Sequence, residues 1–213
     1  MSRTWVHMGI SLLDAAKPLA RRLHWVLPLS TLRRLYWHLQ TCRIRALEDR
    51  VFMEQVLIEH LRARGVRQAL FIGCRPYTSH YPRLFSAAGI TLWTVDIDAQ
   101  AAAFGHAGHH LTASLLALRP ADFPVRLDAA VVNGVFGYGV NQAADIDRAL
   151  RVLAQLLPTG ASLLLGWNRD RSVDPLTLPS AAAFAPLPLA DGRTRVDFTQ
   201  VTHVYDSMVR AAH

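Results

Sequence analysis

The sequence has little cysteine, almost no lysine and no long apolar run. Two cysteines, Cys42 and Cys74, are too few for a disulfide framework or a zinc site, and they favour a reducing cytoplasm. No apolar run reaches the roughly 18 residues that span a bilayer, and residues 1–16 contain no convincing cleavage site. Lys17 is the single lysine, a coding bias that carries no functional meaning. We therefore expect a cytoplasmic globular protein.

The sequence also lacks the local signatures of several enzyme and metal-binding classes. It has no Walker loop, no paired-cysteine motif and no Ser-His-Asp arrangement. His109 and His110 are adjacent and project in different directions, which argues against a shared metal ion. Asp96 and Asp98 lie on one side of an extended segment, but no third ligand is identifiable, and Asp98 suits a helix cap. The sequence predicts no metal site.

Positive charge is concentrated in the first third of the chain. Residues 1–67 carry 12 of the 23 lysines and arginines and 5 of the 16 acids, so the whole net charge of +7 lies there. A basic segment can favour an anionic partner or a membrane surface, and it is also typical of a solvent-facing side of packed helices. Nucleic acid is the weaker alternative because no reader motif accompanies the charge.

The N-terminal third has a helical pattern. Apolar spacing predicts a first helix that begins near Pro18 and ends at Pro28. A second helix is capped by Ser30 or Thr31. A third and longer helix is predicted over 45–64, and we expect it to pack on the domain that follows.

From residue 66 the pattern alternates between apolar runs and helical segments, which predicts a parallel sheet with crossover helices. The predicted strands are 67–73, 91–96, 109–113, 128–133 and 161–167. The predicted helices are 79–88, 99–104 and 142–157. Residues 172–192 are interpreted as a loop, and 194–210 as a terminal β-hairpin.

Two apolar runs carry the strongest functional signal. The run 69–72 ends at Gly73, and the run 91–95 ends at Asp96. A glycine after a buried strand permits a sharp turn and a close approach of a ligand to the backbone. An acid at the tip of the next strand can accept hydrogen bonds from a ribose. The two runs predict a nucleotide-type cofactor site at the carboxyl edge of the sheet.

The order of these elements over residues 66–210 resembles that of the class I S-adenosylmethionine-dependent methyltransferases, and the likeness is best over 127–167. The resemblance implies an α/β, Rossmann-like domain at 66–213, with a mainly parallel seven-stranded sheet and helices on both faces. It implies that residues 1–65 form a basic helical extension or lid. It also implies S-adenosylmethionine as cofactor and a small or medium-sized, partly apolar methyl acceptor.

The resemblance carries cofactor-binding roles onto matching residues. Gly73 and Cys74 match the start of the glycine-rich loop, whose backbone approaches the methionine part of the cofactor. Asp96 matches the acid that holds the ribose hydroxyls, and Ile97 lies beside the adenine.

Three further positions match at the ends of the third and fourth strands. Ser114 corresponds to the acid that accepts from the adenine amino group. Asn133 and Gly134 correspond to the positions beside the sulfonium and its methyl group.

The loop after Gly73 departs from the family pattern. Phe71 stands where the family has an acidic residue, and Arg75 and Tyr77 replace the second and third glycines. Their side chains would intrude on the amino-acid part of the cofactor. Alternatively, Arg75 pairs with the cofactor carboxylate and Tyr77 covers it.

Two residues are candidates for proton transfer. His80 follows the loop and could reach a substrate, although a solvent-facing histidine in a first helical turn is the alternative. Tyr138 lies in the glycine-rich turn 137–139, where an aromatic lid without proton chemistry is the alternative. Trp167 ends the fifth strand and is predicted to line the substrate pocket, and His203 is interpreted as structural.

Three functions follow from these patterns. The first is a methyltransferase that acts on oxygen, nitrogen or carbon. The second is a non-catalytic partner or scaffold with the same fold, because two loop glycines are missing. The third is a binder of anionic surfaces through the basic segment.

Overall fold

The computed structural model describes residue 31 and residues 39–212. The chain divides into two compact units, Met1–Ile44 and Arg45–His213. The predicted helix between Pro18 and Pro28 lies outside the described residues, as does most of the helix predicted after Thr31. None of the helices within the described range is long and apolar enough to cross a membrane.

The first long helical segment of the second unit confirms the helix predicted over 45–64. It consists of α1 (Glu48–Phe52), a π-helical stretch (Met53–Leu57) and α2 (Ile58–Ala63), and the π-helical stretch was not predicted. Met53, Leu57 and Leu61 point into the core and are fully buried. This apolar face packs the segment on the sheet, as expected from its spacing.

The sheet has eight strands, one more than predicted. Five strands that run parallel to their neighbours form its first part, and the last strand is antiparallel to each strand it pairs with. The strands are β1 (Gln68–Ile72), β2 (Thr91–Asp96), β3 (His110–Thr112), β4 (Ala129–Asn133), β5 (Ser162–Asn168), β6 (Phe184–Pro186), β7 (Arg195–Asp197) and β8 (His203–Arg210). Their order is β3-β2-β1-β4-β5-β8-β6, with β7 also pairing with β8.

The additional strand, β6, lies in the segment 172–192 that was interpreted as a loop. It has three residues and ends in a proline, so it carries no alternating pattern to recognise. The hairpin predicted over 194–210 is confirmed as β7 and β8. The helix predicted over 99–104 forms, but as a 3₁₀ helix (Ala99–Phe104).

Helices cover both faces of the sheet, which confirms the predicted α/β class. Helix α3 (Tyr81–Ala87) lies on the same face as α1 and α2, and α4 (Ala143–Leu156) lies on the other. Successive residues of β1 alternate between the two cores, with Phe71 in one and Ile72 in the other. The central strands are therefore buried on both sides, which explains their continuous apolar runs.

The strand order reverses between β1 and β4. From β1 the chain moves outward to β2 and β3, then returns to the other side of β1 as β4. Ligands bind in open α/β sheets at such a reversal, outside the carboxyl ends of the strands. Pairing of Ile72 with Val95 and with Val132 brings three strand ends together at this point.

Candidate functional site

The turn after β1 depends on glycine at position 73. Gly73 has a φ of +104°, and a Cβ at this position would lie 2.0 Å from the carbonyl oxygen of Asn133. Its N–H donates to the carbonyl of Val95 at 3.0 Å. The absence of a side chain therefore allows the ends of β1, β2 and β4 to meet.

Asp96 lies at the end of β2 and is 5% exposed. Its Oδ2 accepts hydrogen bonds from the Cys74 N–H at 2.8 Å and from Arg75 Nη1 at 3.1 Å. Its Oδ1 accepts from the Asp98 N–H at 2.9 Å. A carboxylate has about four acceptor sites, so Oδ1 keeps one that is open to a further donor.

Arg75 occupies the position of the second family glycine and bends back towards Asp96. Its Nη1 also donates to the Cys74 carbonyl at 2.8 Å, and its side chain is 40% exposed. Its backbone N–H donates to Thr78 Oγ1 at 3.0 Å, which fixes the 3₁₀ turn Pro76–Thr78. In this conformation the guanidinium neutralises the predicted ribose acceptor.

A cleft of about 270 Å³ opens at the reversal point. Its walls are mostly apolar, and the polar groups are the side chains of Asp96, Arg75 and Ser114 and the hydroxyl of Tyr138. The lining residues are Ile72, Gly73, Arg75, Asp96, Ile97, Ala113, Ser114, Leu115, Leu116, Gly134, Val135, Tyr138, Gly139 and Val140. The cleft thus brings together most of the predicted cofactor positions, which are Gly73, Arg75, Asp96, Ile97, Ser114 and Gly134.

Three predicted cofactor residues do not line this cleft. Burial raises the pKa of the Cys74 thiol to about 12, and this residue contributes its backbone N–H to Asp96. The Tyr77 ring packs against the guanidinium of Arg50, with 5.0 Å between the Arg50 Cζ and the ring centroid. Asn133 is buried and directs its amide away from the cleft, towards Arg50 and Tyr205.

The two proton-transfer candidates occupy different surroundings. Tyr138 lines the cleft, is 48% exposed and lies against Arg171, whose Cζ is 4.9 Å from the ring centroid. His80 is absent from the cleft lining, and its Nε2 lies 2.7 Å from Glu54 Oε1. Trp167, which was predicted to line the substrate pocket, does not line the cleft either. It is buried, and its Nε1 donates to Asp206 Oδ2 at 2.8 Å.

A second polar site lies behind the cleft, on the sheet face covered by α1 and α3. We call it the polar cluster, and it consists of Asp49, Arg50, Tyr81, Asn133, His203 and Tyr205. Arg50 Nη1 donates to Asn133 Oδ1 at 3.1 Å, and Asn133 Nδ2 donates to the Tyr205 hydroxyl at 2.9 Å. Arg50 Nε lies 3.4 Å from Asp49 Oδ2. Of these residues the sequence predicted a functional role only for Asn133.

Burial shifts the pKa values of the polar cluster. Burial raises the pKa of Asp49 and that of the Tyr81 and Tyr205 hydroxyls. Burial, together with the positive charge of Arg50, lowers the pKa of His203 to about 3, which keeps its imidazole neutral. The one sequence signal for this site is the placement of His203 and Tyr205 two apart on a strand, which puts both on one face.

Metal ligation finds no support in the same region. Among the residues that the structure describes, no group of three or more His, Cys, Asp or Glu side chains is arranged to hold a metal ion.

Comparisons by sequence find no counterpart for this chain. No protein-family model matches it, and no curated protein matches it.

Comparison by structure gives a consistent result. The N-methyltransferase NodS from Bradyrhizobium japonicum superposes with a TM-score of 0.59 at 16% identity, over 78% of this chain and 97% of NodS. The same protein in complex with S-adenosyl-L-homocysteine gives a TM-score of 0.57 at 15% identity, over 82% of this chain and 97% of NodS. A TehB-like S-adenosylmethionine-dependent methyltransferase from Corynebacterium glutamicum gives 0.58 at 11% identity, over 86% of this chain and 99% of its own. The chain has the fold of the class I S-adenosylmethionine-dependent methyltransferases.

Proposed function

We propose that this chain is an S-adenosylmethionine-dependent methyltransferase that acts on a small or medium-sized, partly apolar acceptor. The observation that carries the proposal is the cleft at the strand-order reversal, where Gly73, Asp96, Ile97 and Gly134 meet. The structural neighbours support it, because NodS, which has the same fold, is an N-methyltransferase and forms a complex with S-adenosyl-L-homocysteine.

The residues of the cleft fit the cofactor. Asp96 Oδ1 keeps an acceptor site for a ribose hydroxyl, and Ile97 with Leu115 offers apolar contact for an adenine ring. Ser114 Oγ accepts from the Leu116 N–H at 3.3 Å and retains its own O–H to donate. The cleft volume of about 270 Å³ is slightly below the ~300–1,000 Å³ usual for small-molecule pockets. When bound, the cofactor would supply a methyl group on a sulfonium.

Methyl transfer requires mainly that the protein hold the two reactants close together and in the right orientation. Tyr138 stands at the mouth of the cleft and Arg171 packs on its ring, so the pair is placed to cover a bound ligand. This arrangement supports the lid role for Tyr138. His80 is engaged by Glu54, and a role for it in proton transfer stays a prediction.

One observation favours a second function, that of a non-catalytic partner or scaffold. Arg75 holds the carboxylate that a ribose would use, and it replaces a glycine of the family loop. If this ion pair persists in solution, Asp96 Oδ2 is withheld from the cofactor and only Oδ1 is left for a ribose hydroxyl. Binding of anionic surfaces by residues 1–67 and a cytoplasmic location stay predictions.

Titration calorimetry with S-adenosylmethionine and with S-adenosylhomocysteine tests the proposal. We expect saturable heat from both ligands, a strong loss of affinity in Asp96→Asn and little change in Asp98→Asn. Asp98 is the matched control because it is exposed and caps the Gln100 N–H, a role that asparagine also fills. No heat at millimolar ligand would favour the scaffold.

A further inference from the structure

The polar cluster contains four buried side-chain atoms without a hydrogen-bond partner. They are Asp49 Oδ1, Arg50 Nε, Tyr81 Oη and His203 Nε2. Asp49, Tyr81 and His203 are each no more than 2% exposed. Buried polar atoms in folded proteins nearly always have partners, because an unpaired one loses its hydration without compensation. Four such atoms, one of them on the partly buried Arg50, indicate a site that a ligand completes.

The surroundings of His203 fix which of its nitrogens carries the proton. His203 Nδ1 lies 3.2 Å from Asn168 Oδ1. Asn168 Nδ2 donates to Thr202 Oγ1 at 3.0 Å, and Thr202 in turn donates to Asp170 Oδ1 at 2.6 Å. Because Thr202 Oγ1 donates to Asp170, it accepts from the amide N–H of Asn168, and the amide oxygen of Asn168 is therefore turned towards the imidazole. His203 Nδ1 thus carries the proton and donates to that oxygen. His203 Nε2 therefore holds a lone pair that nothing uses.

The unpaired nitrogen of His203 lies near Asn133. A Cβ at position 166 would be 2.7 Å from Tyr205 Cε1, 2.8 Å from His203 Nε2 and 3.0 Å from Asn133 Oδ1, so these three side chains pack together over Gly166. Asn133 is followed directly by Gly134, which lines the cleft. Asn133, the last residue of β4, thus lies between His203 and the cleft.

We propose that the polar cluster is the acceptor subsite, and that His203 Nε2 accepts a hydrogen bond from an O–H or N–H group of the methyl acceptor. This inference rests on the proposed function and narrows it, because it selects oxygen or nitrogen over carbon. The ring of Tyr205 stacks on Phe52, and Phe198 packs edge-on against both, so one side of the cluster is aromatic and suits an aromatic acceptor.

The subsite holds one cation and one acid, because Arg50 Nε lies 3.4 Å from Asp49 Oδ2, and this balance suits a neutral acceptor. Burial, and after it the positive charge of Arg50, lowers the pKa of His203. In the transfer, the acceptor oxygen or nitrogen would gain the methyl group, and the broken carbon–sulfur bond would leave its electron pair on the cofactor sulfur. Because the low pKa keeps His203 neutral, its Nε2 would orient the acceptor through the hydrogen bond, and the acceptor proton would be released to solvent.

A pair of small probes tests the subsite in the whole chain. Phenol and anisole share the ring, but anisole lacks the hydrogen-bond donor. With S-adenosylhomocysteine bound, we expect phenol to shift the ¹⁵N resonance of His203 Nε2 and anisole to leave it in place. Equal shifts from both probes, or no shift from phenol, would overturn the inference.

Two variants separate this inference from the proposed function. His203→Phe should weaken phenol binding at least tenfold and change the affinity for S-adenosylhomocysteine less than twofold. His203→Gln, whose carboxamide oxygen reaches the Nε2 position, should recover part of the phenol affinity. Undiminished phenol binding in His203→Phe contradicts the subsite, and the wild-type spectra decide alone if that variant does not fold. Absence of S-adenosylhomocysteine binding in the wild type contradicts the proposed function instead.

Discussion

The cleft and the polar cluster lie on opposite sides of Asn133 and are built differently. The cleft is formed by strand ends, turns and apolar side chains, with Gly73 allowing the close approach of β1 to β4. The cluster is formed by charged and aromatic side chains from α1, α3, β4 and β8. A cavity made by the backbone can be common to proteins of one fold, whereas a constellation of side chains belongs to one chain. This difference is the reason why we propose the cleft for the cofactor and the cluster for the acceptor.

The two sites are also incomplete in opposite ways. The cleft leaves apolar groups in water, since Ile97 is 73% exposed and Tyr138 is 48% exposed. The cluster keeps polar atoms of Asp49, Tyr81 and His203 away from water and without partners. A flat apolar ligand would cover the first, and a small polar group would complete the second. One bound pair of cofactor and acceptor would satisfy both.

The largest expected effect is that of Gly73→Ala, which attacks the backbone on which the cleft depends. The new Cβ would meet the Asn133 carbonyl oxygen at 2.0 Å, in a backbone conformation with φ of +104°. We expect the free energy of unfolding to fall by about 4 kcal/mol, measured by urea denaturation.

Gly192→Ala is the matched control for that substitution. Gly192 also has a positive φ, of +82°, but a Cβ there would meet nothing within 4 Å. It should cost about 1 kcal/mol, the strain of a left-handed alanine alone. Equal losses in the two variants would show that the contact between β1 and β4 does not set the cleft.

Asp96→Asn asks whether the cleft holds a ribose. Asparagine removes the negative charge and turns one acceptor oxygen into a donor, which faces the donors from Cys74 and Arg75. We expect the affinity for S-adenosylhomocysteine to fall about 30-fold, or about 2 kcal/mol, as for a lost hydrogen bond to a charged group. Calorimetry measures this affinity. If Asp96→Asn and Asp98→Asn bind equally well, Asp96 does not hold the ribose.

At acid pH, the free energy of unfolding should fall because His203 stays neutral in the polar cluster. The folded pKa of about 3 lies below the unfolded value of about 6.5, so the unfolded chain binds more protons between these values. Stability therefore falls as the pH falls through this window. Between pH 7 and pH 5 we expect His203 to account for a loss of about 2 kcal/mol.

The variant His203→Gln isolates that contribution. The pKa values of His60 and His110 are also lowered by burial, and both residues remain in the variant, so their effects cancel in the comparison. Urea denaturation at pH 7 and pH 5 should show a smaller loss in His203→Gln than in the wild type. Identical losses would mean that His203 is not held neutral.

The cleft could be predicted from sequence because its residues lie at the ends of short local patterns. The apolar runs before Gly73 and Asp96 define two strands, and adjacent parallel strands must bring their carboxyl ends together. Ile97 and Gly134 were assigned through the family resemblance, and both line the cleft. Gly73 and Asp96 needed only their own apolar runs and the order of the strands.

The polar cluster could not be predicted in this way because its contacts join distant parts of the chain. Arg50 and Asn133 are 83 residues apart, and Asn133 and Tyr205 are 72 apart. Their meeting depends on how α1 packs on β4 and β8, which no local pattern specifies. The π-helical stretch Met53–Leu57 has the same character, since the apolar spacing predicts a helix without its local winding.

The smallest expected effect is that of Arg75→Ala, which tests whether Arg75 hinders or helps binding in the cleft. An ion pair with a partly exposed arginine contributes about 1 kcal/mol or less. Arg75→Ala removes the donor that occupies Asp96 Oδ2 and frees this oxygen for a ribose hydroxyl, so the affinity for S-adenosylhomocysteine should rise about threefold. Arg119→Ala, which breaks an exposed pair with Asp122, should leave the affinity unchanged. A fall in affinity in Arg75→Ala would instead place the carboxylate of the ligand on the guanidinium, and the loop would then bind the cofactor by charge where the family uses glycine.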